Sequence, residues 1–561
     1  MDVIFGRNKK EQAQPLRAQV MGQIPAWLQG TLLRNGPGMH TVGESRYNHW
    51  FDGMALIHSF TIQKGEVHYR SKYLRSDTYK ANIEANRIVV SEFGTMAYPD
   101  PCKNIFSKAF SYLSHILPDF TDNCLINIMQ CGDDFYATTE TNYIRKIDPK
   151  TLDTLDKVDY RKYVAVNLAT SHPHYDEAGN VFNMGTSIMD KGKTKYVMFK
   201  IPATVPESKK KKDPWKHIEV LCSIPSRSHL SPSYFHSFGL TPHYTVFLEQ
   251  PFKMDIIGLA TAYFRGKNWA SCLTFHKDDK THIHVIERNT GRSLPIQLYT
   301  DAMVVYHHVN AYEQDGCLLV DVIAYSDSSL FDLFYLANLN QDFAENAKLT
   351  AMPTLKRFAV PLCAEQVQSA AVGSNLITLT STTATAVKEK GDLVYCKPEV
   401  LCEGLELPRI NYAHNGKPYR YVYAAEVQWN PIPNQIVKYD LLTRTALKWG
   451  EEHCWPAEPL FVAAPGAQAE DDGVILSTVI STDPQKSPFL LILDAQSFTE
   501  LARASVDVDM HLDLHGLFVP HTDSTAGDQV TPPQEEQEEE DGSSGAHGGG
   551  SSTLQQLSFA L

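Results

Sequence analysis

The sequence predicts an all-β protein of propeller type, and two observations carry that expectation. Most of the chain is written in short runs rich in Val, Ile, Thr and aromatic residues, separated by Gly, Asp and Pro turns. Within that texture an acid is followed three residues on by Ser or Thr and seven on by Leu. The pattern recurs at Asp148/Thr151/Leu155, Glu287/Thr290/Leu294, Asp440/Thr443/Leu447 and Asp494/Ser497/Leu501. Each instance follows an apolar strand (residues 143–147, 283–286, 436–439 and 489–493) and precedes another. An acid so placed caps the backbone of a hairpin turn. Hairpins repeated in one style suggest radial repetition, which hides sheet edges. Four matches do not fix the number of blades.

At 561 residues the chain is long enough for several domains, yet β-rich folds often run this long as one unit. A hydrophobic fraction of 43% is ample for a large core. The net charge of −14 argues against nucleic acid as a partner. Much of it is local: Asp523, Asp528, Glu535, Glu536, Glu538, Glu539, Glu540 and Asp541 face no Lys or Arg beyond residue 520. The 10 cysteines are scattered without a Cys-x-x-Cys pair, which suits reduced thiols of the cytosol better than a disulfide framework. Residues 1–8 lack the apolar core of a signal peptide and the Ser/Arg content of a transit peptide. No run approaches the roughly 20 apolar residues that span a bilayer.

In chain order, residues 22–38 supply a Pro-led turn, an apolar strand and a Gly-Pro-Gly loop. His49-Trp50-Phe51-Asp52-Gly53 reads as core aromatics at a tight turn, with Phe51 a candidate pocket wall. In residues 105–117 the apolar positions Phe106, Phe110, Leu113 and Leu117 recur at helical spacing. Such a helix either packs on the body or dips into a membrane to collect an apolar ligand. Residues 251–269, with Phe252, Ile256, Ile257, Phe264 and Trp269 beside Lys253, Arg265 and Lys267, are a candidate for the other half of that patch. Lys209 to Lys212 read as a solvated loop. Residues 1–519 are expected to form one catalytic propeller domain, and the acidic, Gly/Ser-rich residues 520–561 a disordered tail.

Of 22 histidines, context selects four: His172, His236, His307 and His515 each stand at a turn beside an apolar strand. They are too far apart for one local metal loop. In a propeller the inner strands of different blades face one axis, so distant rings can converge. From the residues alone, a shared site and four separately satisfied core histidines both stay open.

Residues 30–38, the surroundings of His172, His236 and His307, Glu470 to Ser477, and His515-Gly516 resemble the carotenoid cleavage oxygenases over about residues 15–519. The resemblance implies a seven-bladed propeller with a helical and loop cap over one axial Fe(II), held by His172, His236, His307 and His515. It implies three outer glutamates, Glu140, Glu406 and Glu458, accepting from the ring N–H groups of His236, His307 and His515 respectively. No acid–base dyad is implied beyond the metal. In detail the resemblance is to members that split β-carotene with O₂ at its central double bond into two molecules of retinal. The family's retinoid isomerohydrolase, its eccentric cleavage enzymes and a non-catalytic carotenoid- or retinoid-binding propeller are the alternatives.

Chemistry agrees with the implied centre. Neutral imidazoles bind Fe(II) well, and four leave open positions on an octahedron. Carboxylates behind the rings fix their tautomers. A polyene is expected to arrive transiently from a membrane or lipid droplet and thread past aromatic walls. Phe51, Tyr234, Phe235, Tyr325 and Trp455 are the candidates, since ring faces stabilise positive charge. The protein is expected in the cytosol, peripheral to membranes, with no obligate protein partner. His172 has no assigned glutamate, so packing or water is expected to orient it, with His174 on the opposite face.

Overall fold

Seven sheets of four to six strands follow one another along the chain, and each is one blade of a propeller. The computed structural model describes residues 2–98, 117, 119–206, 213–339, 350–427 and 432–521. Among the described residues the sheets are antiparallel throughout except where Gln297–Asp301 runs parallel to Leu393–Lys397. The ring closes through strands from both ends of the described chain. His515–Pro520 pairs with Gly30–Met39 in the first blade, and Gln19–Gly22 adds to the last blade against Glu500–Ser505. Gly516 is required at this seam, because a Cβ there would lie 1.9 Å from the carbonyl oxygen of Leu33.

The inner strands touch one another around the axis: His515–Pro520 lies between Asn127–Cys131 and Leu460–Ala463, and Val304–Gln314 between Gly239–Leu240 and Leu405–Arg409. Between the blades the core is a set of apolar clusters. Tyr423, Ile436, Ile475 and Leu491 fill one interface, and Val246, Val285, Leu318 and Phe358 another. Each fully buried side chain of this size contributes roughly 1.5–3 kcal/mol.

The repeated acids sit where the sequence puts them, at the turn into each blade's fourth strand. Asp148 Oδ1 accepts from the backbone N–H groups of Lys150 and Thr151, Asp440 Oδ1 from those of Leu442 and Thr443, and Asp494 Oδ1 from that of Ser497. Glu287 instead accepts from the Thr290 hydroxyl, its longer side chain reaching past the backbone. Four residues after each acid the backbone turns left-handed, at Leu152, Gly291, Arg444 and Phe498.

Two expectations are corrected, for the first strand and for His307. The first strand does not stop before Gly36-Pro37-Gly38 but continues to Met39, paired with Met54–Gln63. Proline is tolerated because Pro37 lies beyond the end of the pairing with His515–Pro520, where no ladder donor is needed. The candidate patch segment 251–269 holds a strand, Phe252–Met254, and a helix, Ile256–Arg265, capped by Asp255 and ended by left-handed Gly266. His307 lies within the strand Val304–Gln314 rather than at a turn before one. Phe106, Phe110, Leu113, Lys209 to Lys212 and the tail from residue 522 lie outside the described residues.

Candidate metal centre

Four elements deliver the histidines. His172 precedes the short strand His174–Tyr175, its backbone N–H held by Thr170 Oγ1 at 3.1 Å. His236 lies in the loop before Gly239–Leu240. The hydroxyl of Ser237 donates to the carbonyl of Tyr306 and accepts from the N–H of His308, which ties that loop to the strand bearing His307. Irregularities between Val305 and His308, and again between His308 and Asn310, break the strand's pleat, the usual device for re-aiming a side chain. His515 is the first residue of the closing strand, opposite Asn35.

The structure brings one nitrogen of each of the four rings within 4.8 Å of the others. His172 Nε2 and His236 Nε2 are 2.9 Å apart, and His307 Nε2 is buried with no hydrogen-bond partner. On three of the rings the other nitrogen faces a glutamate. His307 Nδ1 is 2.7 Å from Glu406 Oε2 and His515 Nδ1 is 2.5 Å from Glu458 Oε2. His236 Nδ1 lies 2.5 Å from Glu140 Oε1, close but not aligned as a hydrogen bond. A proton on Nδ1 leaves Nε2 as a lone pair, so these rings present lone pairs to a common centre. Nitrogens bound at about 2.1 Å to one ion stand about 3 Å apart when adjacent and about 4.2 Å when opposite. The observed spacing and the orphaned Nε2 fit such an ion.

Among the described residues His172 has no carboxylate partner. His174 faces away from it, with Nδ1 at 2.9 Å from the Tyr412 hydroxyl and Nε2 at 2.8 Å from the Phe238 carbonyl. Burial and then the other three rings push the His172 imidazole well below its ordinary range, so it is neutral.

The glutamates differ in strength. Burial, the largest single influence, would lower His307, but the charge and hydrogen bond of Glu406, with the charges of Glu458 and Glu140, together hold the ring above its ordinary value. Burial also dominates at His515, where Glu458 offsets it only in part and the ring falls to about 4. The charges of His307 and His236 add to burial there, and the two carboxylates also differ in what stands behind them. Glu406 is supported by neutral donors, the Tyr325 hydroxyl at 2.8 Å and the N–H of Leu407 at 2.7 Å. Leu407 takes a left-handed backbone (φ 51°) that aims that N–H. Glu458 is shared with cations: Arg34 Nη1 donates to its Oε1 at 2.9 Å and Arg409 Nε lies 3.8 Å away. Arg34 also grips Asp513, which accepts in addition from His58 and Thr478. Glu140 accepts from the Tyr234 hydroxyl at 2.9 Å.

An apolar cavity of about 290 Å³ ends on His236, His307 and His515. Phe51, Tyr234, Phe235 and Tyr325 line it, as does the acid partner Glu406. Trp455 does not: it packs at the edge of the cluster that holds Leu476 and Ile480, pairs with Ile480 and donates from Nε1 to Thr482. The sequence reading missed Phe331 and Phe334, whose rings meet Phe51 at 6.0 and 4.9 Å. Their signal was the paired apolar residues Leu330-Phe331 and Leu333-Phe334 in and just after the helix Ser329–Leu333. Leu117, the one described residue of the membrane-facing quartet, packs against the cluster of Met254, Ile256 and Leu259.

The chain matches the model of the retinal pigment epithelial membrane protein family over residues 5–520. It is 77% identical to a β,β-carotene 15,15′-dioxygenase of Rattus norvegicus, over 93% of this chain and 92% of that one. It is 42% identical to a mitochondrial carotenoid-cleaving dioxygenase of Mustela putorius furo, over 91% and 95%. Among solved structures, cobalt-substituted Synechocystis apocarotenoid oxygenase shares the fold with a TM-score of 0.71 at 24% identity, over 93% and 98%.

Proposed function

We propose, for a chain that belongs to the retinal pigment epithelial membrane protein family of carotenoid oxygenases, that it cleaves the central double bond of β-carotene with O₂ and releases two molecules of retinal. The observation that carries this reading is the convergence of four imidazole nitrogens at the end of an apolar cavity. The far higher likeness to relatives named for 15,15′ cleavage than to the mitochondrial carotenoid-cleaving enzymes favours the central bond.

The ion we assign to the centre is Fe(II), one per chain, held by His172, His236, His307 and His515. A four-imidazole set suits zinc, copper, iron and nickel alike, and the need for redox chemistry with O₂ removes zinc. When bound, the iron supplies the activation of dioxygen toward the polyene. The chain's own groups do the rest. Glu406 and Glu458 keep the Nδ1 protons of His307 and His515 in place, Glu140 stands beside Nδ1 of His236, and Tyr234 and Tyr325 hold two of those carboxylates while facing the cavity. Phe51 and Phe331 exclude water and present ring faces to a polyene. Incubation with β-carotene under ¹⁸O₂ tests the reading. Retinal labelled at its aldehyde oxygen, two molecules per substrate, is expected. Longer apocarotenals, or unlabelled retinal at the earliest times, would contradict it.

Delivery from a lipid surface is part of the proposal. The helix Ile256–Arg265 buries Ile256, Leu259 and Ala262 but leaves Ile257 and Phe264 exposed (51% and 68%), and Tyr98 is exposed beside Tyr263 of the same helix. Among the described residues no helix is long and apolar enough to cross a membrane, so attachment would be peripheral. All nine described cysteines are free, which agrees with a cytosolic setting. Flotation with phosphatidylcholine vesicles is expected to fall several-fold in an Ile257→Asp/Phe264→Asp variant. Unchanged flotation would mean that this face docks to nothing lipid.

A further inference from the structure

The histidine cluster separates two cavities. The apolar one reaches His236, His307 and His515; a second, of about 810 Å³, reaches His172, His307 and His515. At its other end the second cavity is bounded by Pro465, Gly466, Pro520 and His521, all exposed. It therefore runs from the protein surface to the ring nitrogens. Its wall mixes apolar residues with polar ones, among them Asn411, Asn415, Tyr412, Arg409, His174 and His308, and is far more polar than that of the first cavity. The Tyr412 hydroxyl on this wall is held by His174 Nδ1 at 2.9 Å and accepts from the N–H of Tyr175, so it is a fixed polar group. Arg409 adds little repulsion for a cation, because its Nε sits 3.8 Å from Glu458 Oε1 on the same wall and its Nη2 donates to the Gly516 carbonyl.

The two cavities admit different things. A divalent ion travels with its water, and stripping it in an apolar passage is prohibitive. A long hydrocarbon has the opposite preference. We propose that the polar cavity is the port by which a hydrated divalent metal ion enters and leaves the four-histidine site, and that the apolar cavity serves the hydrocarbon alone. His172 is the ring that this ion meets first: it borders the polar cavity and not the apolar one, and no carboxylate fixes its orientation. The inference rests on the reading of the four histidines as a metal site and does not depend on which polyene is cleaved.

The test is the rate of metal uptake by the full-length chain. Protein stripped with a chelator is mixed without oxygen with aqueous Co(II), and the visible absorption of the bound ion is followed. Ala464 and Asn415, half-buried on the cavity wall away from the rings, are each replaced by Glu and by Lys. Each Glu variant should load roughly tenfold faster than its Lys counterpart at low salt, with the gap closing as salt screens the charge. All four should reach the same final stoichiometry, and an alkyl detergent occupying the apolar cavity should leave the rates unchanged. Equal rates for Glu and Lys at both positions, or uptake blocked by the detergent, would overturn the proposal. A wild-type chain that binds no Co(II) would overturn the metal-site reading beneath it.

Discussion

A Glu406→Gln variant should lose metal affinity by about 10- to 100-fold while remaining folded. Glu406 accepts the Nδ1 proton of His307 and is itself held by two neutral donors, the Tyr325 hydroxyl and the Leu407 N–H. A glutamine can turn its amide NH₂ toward Nδ1, which favours the other tautomer and removes the lone pair at Nε2. No arginine loses its counter-charge in the exchange, only the His307 imidazole that Glu406 favours, so stability should change less than in Glu458→Gln. Glu458→Gln makes the contrast. There the carboxylate also neutralises Arg34, so the variant should lose stability as well as metal. Metal affinity by chelator competition, together with the unfolding temperature, separates the two outcomes. Equal stability losses for both variants would contradict the division of roles.

An Arg34→Met variant should be destabilised by about 3–5 kcal/mol, the usual result of breaking a buried ion pair from one side. Arg34 is 1% exposed and lies between Asp513 and Glu458, which are as deeply buried. Met fills much of the volume and supplies no charge, so two carboxylates are left in an apolar setting. Burial alone would raise Glu458, but Arg409 first, then His515 and Arg34, hold it near 2. Burial likewise opposes Asp513, which Arg34 and His58 hold below the ordinary carboxylate range. A depressed carboxylate stabilises the fold at any pH above its ordinary value near 4–4.5, and that contribution drains away as pH falls toward the folded value. The wild-type chain should therefore keep this stabilisation down to about pH 4.5. Without Arg34 both carboxylates rise, and acid unfolding should begin at higher pH. For a chain of this size thermal inactivation half-life is the practical readout. A variant as durable as wild type would show that His58, Thr478 and Arg409 suffice.

The hairpins were legible in the sequence because their signal is local. Asp148, Asp440 and Asp494 cap the turn they begin, so a few residues contain the whole cause. The left-handed position four residues later was present at a fixed offset but hidden, since Leu152, Arg444 and Phe498 are not the glycine that such a backbone favours. Ring closure was not legible: nothing near Gly30 announces a partner at Pro520. The same holds for the site. His172, His236, His307 and His515 come from separate blades, so local context picked out each one and only a resemblance to a family, not their spacing, joined them into one site. Cavity walls were the least legible part. Tyr234 and Tyr325 lie beside the rings they serve, whereas Trp455 turns into packing and the facing positions belong to Phe331 and Phe334, in a segment between the fifth blade's strands. Which aromatic residue faces a cavity is decided by tertiary packing, and composition is blind to it.

The most direct test of the central claim is the metal content of the purified full-length chain and of its four single His→Ala variants at positions 172, 236, 307 and 515. One iron per wild-type chain, lost in each variant while circular dichroism still reports the β fold, is the expected result. A well-folded wild-type chain with no iron, or variants that retain it, would contradict the claim.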